Sequence, residues 1–214
     1  MLFILLFLAF LTAYGQQSAM VAITNMVDER DGKRYKVVKI GQQTWMAENL
    51  AYEAKGSKCF EKDCYKESDD GEYICNKLSE PEIKANCKKY GRLYNFNTAK
   101  TVCPSGWHLP SDAEWKILVS SVGGEKTAGK YLKSTSGWNN VRGKKYGNGE
   151  DKYGFSALPG GFGGYYEVEF HAVGYSGYWW SSSSAYFYIG CDSEDAHLSD
   201  DGNIILYSVR CVQD

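Results

Sequence analysis

A chain of 214 residues with a formal net charge of −2 offers no basic face for nucleic acid. It also contains no long basic amphipathic stretch to lie on a membrane, so neither partner is expected. Its 23 glycines, 9 Phe, 17 Tyr and 6 Trp suit short strands and loops in which rings supply much of the buried area, within one sizeable domain.

The opening run MLFILLFLAFLTAYG is too short to span a bilayer and ends in small residues suited to a signal peptidase, which predicts a cleaved export signal over 1–15. No cysteine follows it to take a lipid, so no membrane insertion is expected after cleavage. Residues 16–27 read as a short polar leader, and the domain proper begins at Asp28. Asp31-Gly32 then opens the strand-like run KRYKVVKI, and Gly41-Gln42 forms a two-residue turn into QTWMAENL, a first β-hairpin. From Glu53 to Lys89 the chain is polar, holds four cysteines and reads as a surface excursion held by disulfides.

GRLYNFNTAKTVC predicts a short helix leading into Cys103, stopped by Pro104. Ser111 sits three residues before Glu114, the spacing of a capping box. Behind it Trp115, Leu118, Val119 and Val122 form a helical apolar stripe, and Gly123-Gly124 ends it. From Thr135 the chain is punctuated by glycine and aromatics, as long loops and short strands are. AYFYIG and NIILYSVRCV predict two strands joined through Asp201-Gly202. Ile205, Tyr207, Val209 and Cys211 share one face of the second.

The seven cysteines, Cys59, Cys64, Cys75, Cys87, Cys103, Cys191 and Cys211, are expected to pair in an exported protein, leaving an odd one over. Their spacing does not set the connectivity, and it lacks the paired knuckles of a zinc ribbon.

Candidate chemistry is sparse. On an extended YYEVEFHAV, Glu167, Glu169 and His171 share a face at intervals of about 7 Å. That set would suit a metal or an acid/base pair, and a solvated strand face is the plainer reading. The acidic stretches ESDDGE and CDSEDAHLSDDGN lack the ligand order of a calcium loop, so calcium is a minor expectation and no other cofactor is indicated. No Gly-x-Ser-x-Gly elbow exists and no catalytic residue is assigned. His108 has no nameable partner and reads as a packed structural histidine. A sugar-stacking platform is the remaining option, built from Tyr165, Tyr166, Tyr178, Trp179 and Trp180; core packing competes for the last three.

The stretches DGKRYKVVKIGQQTWMAENL, KKYGRLYNFNTAKTVCPSGWHLPSDAEW, FSALPGGF, GYWWSSS and YSVRCV occur in that order. They resemble the Fibrobacter succinogenes major paralogous domain family from Asp28 to Asp214. The resemblance implies the C-type-lectin-like superfamily that also includes formylglycine-generating enzymes. The implied fold is α+β and disulfide-stapled, with two short helices, antiparallel hairpins and long glycine- and aromatic-rich loops. It further implies Cys103 with Cys211, Cys59 with Cys87, and Cys64 with Cys75, leaving Cys191 as the free thiol. The oxidase's cysteine pair and the lectins' calcium motifs have no counterpart here. The expected function is a secreted, periplasmic or cell-surface binding or adhesion module for polysaccharide or a surface protein. The alternatives are a structural envelope protein, or an enzyme using Glu167, Glu169 and His171 or the Cys191 thiol.

Overall fold

A computed structural model describes residues 23–66, 73–140, 146–164, 169–200 and 205–214, with the backbone alone for 63–66 and 73. The expected export signal, the first part of the leader, the ESDDGE stretch and Asp201-Gly202 lie outside the described residues.

The predicted hairpin forms as β2 (Arg34–Ile40) and β3 (Gln43–Met46), with Ile40 opposite Gln43 across the two-residue turn. Gly41 takes φ +60 there, a conformation that costs glycine little. The short polar leader ends in a strand, β1 (Ile23–Val27), paired antiparallel with β2. Behind β1, Asp28 closes the turn by accepting the backbone N–H and guanidinium of Arg30.

The segment from Glu53 to Lys89 is more ordered than a surface excursion. It holds β4 (Ser57–Lys58), the antiparallel pair β5 (Lys62–Lys66) and β6 (Tyr73–Lys77), and helix α1 (Glu80–Tyr90). Phe60 is buried in a small core with Leu93, Phe170 and Leu206, which is what anchors the segment. Helix α1 begins at a Ser79/Glu82 capping box with Pro81 in its first turn. That signal stands in the sequence but was overshadowed by the polar composition around it.

β7 (Leu93–Tyr94) precedes the short helix α2 (Phe96–Ala99), whose Asn95 cap accepts from the Thr98 amide at 2.9 Å. After β8 (Trp107–His108) comes α3 (Asp112–Ser121), with the Ser111/Glu114 box in place. Trp115, Leu118, Val119 and Val122 are all buried in one core, as the stripe predicted. Gly123-Gly124 ends this helix, and a further one, α4 (Glu125–Leu132), follows at once. The described residues therefore hold four helices where two were expected. Helix α4 escaped notice because its inner face is small: Ala128, Gly129 and Leu132. Gly129 has to be small, since a Cβ there would meet the carbonyl oxygen of Asp195 at 2.3 Å.

The remaining strands are β9 (Gly160–Gly164), β10 (Phe170–Val173), β11 (Ser176–Trp180), β12 (Ala185–Gly190), β13 (Ala196–Asp200), β14 (Ile205–Ser208) and β15 (Val212–Gln213). AYFYIG is β12, but its hairpin partner is β13, not β14, so the two predicted end strands are not joined directly. Two sheets result. One runs β1-β2-β3-β15-β8; the other runs β13-β12-β11-β9-β14-β7-β4, with β10 on β9. The architecture is α+β with mostly antiparallel pairing.

Alternation along β11 builds both main cores. Trp179 enters the core with Trp45, Trp115, Phe155 and Phe187, while Trp180 enters the one with Tyr94, Tyr207, Val209 and Cys211. Ile205, Tyr207, Val209 and Cys211 meet in that second core, in agreement with their shared face. Between the sheets, Asn49 Oδ1 accepts from Trp179 Nε1 at 2.8 Å and from Arg210 Nε and Nη2 at 3.2 and 2.8 Å. Arg210 is wholly buried and also donates to the carbonyls of Phe155 and Ser156. Burial without a paired carboxylate pushes its pKa down, to about 9, which still leaves it charged at neutral pH.

Disulfides join Cys59 to Cys87 and Cys103 to Cys211. Cys75 is disulfide-bonded and stands opposite Cys64 in the β5–β6 register; the Cys64 side chain lies outside the described residues. The Cys191 thiol is buried in the first core, away from reagents.

Candidate aromatic binding surface

The face of the larger sheet that packs on the second core carries a continuous row of rings extending out from it. Register places His197 of β13 opposite Tyr188 of β12, and Tyr188 opposite Tyr178 of β11. Directly opposed side chains in a sheet share a face and touch. The parallel match of Gly177 with Gly161 then brings Tyr178 beside Phe162 of β9, and Phe162 stands opposite His171 of β10. Ring centroids step 5.2 Å from His197 to Tyr188, 5.1 Å to Tyr178, 5.3 Å to Phe162 and 5.2 Å to His171. His197 is exposed and the other four are half-buried.

Beside the row on the same face, Tyr178 stacks on buried Tyr207 at 5.2 Å and Tyr186 packs on Tyr207 at 5.1 Å. This support fixes the rings before any ligand arrives, which lowers the ordering cost of binding. At the His171 end, Glu169 Oε2 lies 3.3 Å from His171 Nε2. At the other end, His197 borders a cleft of about 550 Å³ between α3, α4 and β13, which Asp112, Lys116, Glu125 and Asp200 also line. Asp112 there accepts the hydroxyls of Ser181 and Ser183 from the run after Trp180. Apolar ring faces beside hydrogen-bonding groups are what a saccharide needs, since a sugar has both apolar and hydroxylated sides.

Of the expected platform, Tyr178 is in this row. Trp179 and Trp180 are fully buried and are corrected to core residues: alternation turns one into each core, and the indole N–H of Trp180 donates to the Tyr94 carbonyl at 2.6 Å. Tyr165 and Tyr166 lie outside the described residues. So does Glu167, which leaves Glu169 and His171 as the described members of the proposed acid/base face. Among the described residues, no three His, Cys, Asp or Glu side chains converge on a metal position. The row itself was missed because its members come from five strands, and their adjacency depends on sheet order.

His108 also differs from expectation. Nε2 lies 2.8 Å from Glu114 Oε1 and Nδ1 lies 2.6 Å from Asp214 Oδ1. Burial pulls its pKa down, but the hydrogen bonds to Asp214 and Glu114 outweigh this and raise it. The Ser111 hydroxyl beside it is held on the other Glu114 oxygen at 2.8 Å, and the effect of the arrangement is to tie β8, α3 and the strand end after β15 together.

A family model described as the Fibrobacter succinogenes major domain matches residues 38–213. No curated protein and no solved structure matches the chain.

Proposed function

The chain belongs to the Fibrobacter succinogenes major domain family, and on that premise we propose that it is a secreted or cell-surface binding module that takes a polysaccharide on the face of its larger sheet. The observation that carries the reading is the five-ring row from His197 to His171, in which His197 is exposed and the other four rings are half-buried. Ring faces supply contact area at low entropy cost, and the cleft at the His197 end supplies hydrogen bonds to hydroxyls. Two disulfides fit an oxidising compartment outside the cytoplasm. No helix among the described residues is long and apolar enough to cross a membrane.

The C-type-lectin-like assignment belongs to the same proposal. It is supported by the disulfide from Cys103, ahead of α3, to Cys211 beside the final strand, and by that strand's position between β3 and β8. The test of function is a glycan array together with retention on insoluble polysaccharides. Selective retention of the chain supports the sugar reading, and failure on every glycan removes it in favour of a surface-protein partner.

A further inference from the structure

We infer that a separate pocket, formed where α1 ends against β2 and the segment after β3, binds a compact oxyanion: a carboxylate, sulfate or phosphate group on a small ligand. This inference is independent of the aromatic row.

The pocket has a volume of about 390 Å³, and Lys33, Lys36, Lys88 and Lys89 stand in its wall with Glu48 as the one acidic member. Lys88 and Lys89 lie in the last turn of α1, where basic side chains also answer the helix's own C-terminal carbonyls. Lys33 and Lys36 have no such local reason to be there, because they come from the turn before β2 and from β2 itself. Among the described residues, none of these four ammonium groups lies within ion-pair distance of a carboxylate. Glu48 accepts the Lys36 backbone N–H at 2.8 Å and offsets part of the lysines' charge.

The floor adds to the same field. Asn49 and Ser156 line the pocket, and both are bonded from behind by the buried guanidinium of Arg210. Asp151 stands behind Ser156 and offsets part of that charge, binding the Ser156 N–H and hydroxyl at 2.7 and 2.5 Å. Ser156 and Asp151 both hold positive φ, +52 and +44, conformations that residues with side chains rarely adopt. Such strain collects at ligand clamps, where the surrounding structure imposes it. Gly91 also lines the pocket and lets the end of α1 approach the segment after β3 closely, since a Cβ there would meet the Leu50 carbonyl oxygen at 2.7 Å. In a chain whose formal net charge is −2, four lysines in the wall of one pocket with a buried arginine behind its floor constitute a local inversion of sign, which draws anions and holds them in partial desolvation.

The test is titration of the full chain at low ionic strength with inorganic phosphate, inorganic sulfate and glucuronate, followed by amide chemical shifts. The expected result is saturable movement of amides at 33–36, 47–49 and 88–91 with at least one probe. The three arms then separate an inorganic oxyanion from a sugar carboxylate. Affinity should fall at least about tenfold in Lys36→Gln/Lys88→Gln, and should stay unchanged in Lys39→Gln, a lysine outside the pocket. Lys36 and Lys88 are exposed, so the melting temperature of the double variant should match the parent and rule out unfolding as the cause. Absence of saturable shifts with all three probes, or equal affinity in the double variant, overturns the inference.

Discussion

His108 and Glu114 meet at 2.8 Å, Nε2 to Oε1, and this contact makes one carboxylate serve two elements. Its other oxygen accepts the Ser111 backbone N–H and closes the cap of α3. Through His108, which stands opposite Val212 in the β8–β15 register, the same side chain clasps the strand that ends the smaller sheet.

A pH dependence of stability follows. The folded state raises the pKa of His108, so its contribution is complete below the ordinary imidazole value and is lost as pH climbs through the raised one. Glu114 works in the opposite sense. Burial raises its pKa, but the Ser111 amide and His108 outweigh that and lower it, so its contribution holds above the ordinary carboxylate value and is lost as pH falls through the lowered one. Melting temperatures should therefore decline on the alkaline side, and His108→Gln should flatten that decline. The pair is part-exposed, so the effect should be about 1 kcal/mol or less. An unchanged alkaline slope in His108→Gln would refute the clasp.

The two described disulfides should differ in weight. Cys103–Cys211 closes a span of 108 residues and Cys59–Cys87 one of 28. Loop entropy assigns about 4–5 kcal/mol to the longer and about 3–4 kcal/mol to the shorter. Chemical denaturation of Cys103→Ala/Cys211→Ala should give the lower midpoint of the two double variants.

Arg210 should be among the least replaceable residues. Arg210→Met removes the donor to the Phe155 and Ser156 carbonyls and leaves Asn49 Oδ1 only the Trp179 indole N–H. A loss of about 1–3 kcal/mol is expected, read as a shift in denaturant midpoint at constant slope.

Gly129→Ala should destabilise despite alanine's better helix propensity. The new methyl would enter the Glu194–Asp195 backbone, and overpacking of this kind costs about 1–3 kcal/mol. A variant more stable than the parent would mean that α4 does not pack against β13 as described.

Local signals carried the parts of the fold that were legible in the sequence. The Gly41-Gln42 turn, the Ser111/Glu114 box, the stripe from Trp115 to Val122 and the alternation ending at Cys211 each depend on residues a few positions apart. What stayed hidden depends on distance along the chain. Asp214 reaches His108 across 106 positions, and Asn49 reaches Arg210 across 161. Helix α1 was hidden for a different reason: its mostly polar sequence gave a weak apolar stripe, although its cap could be read. At the candidate site, aromatic content alone favoured Trp179 and Trp180. Their alternation on β11 buries both, and it is Tyr178 and Tyr188 that stay open.

Binding of polysaccharide by the parent chain and by Tyr178→Ala/Tyr188→Ala is the most direct test of the aromatic row. Each lost stacking contact should cost about 0.5–1.5 kcal/mol, so the double variant should bind about tenfold more weakly or worse, with the melting transition still cooperative. A folded double variant that holds the same polysaccharide as tightly as the parent would contradict the assignment of this surface.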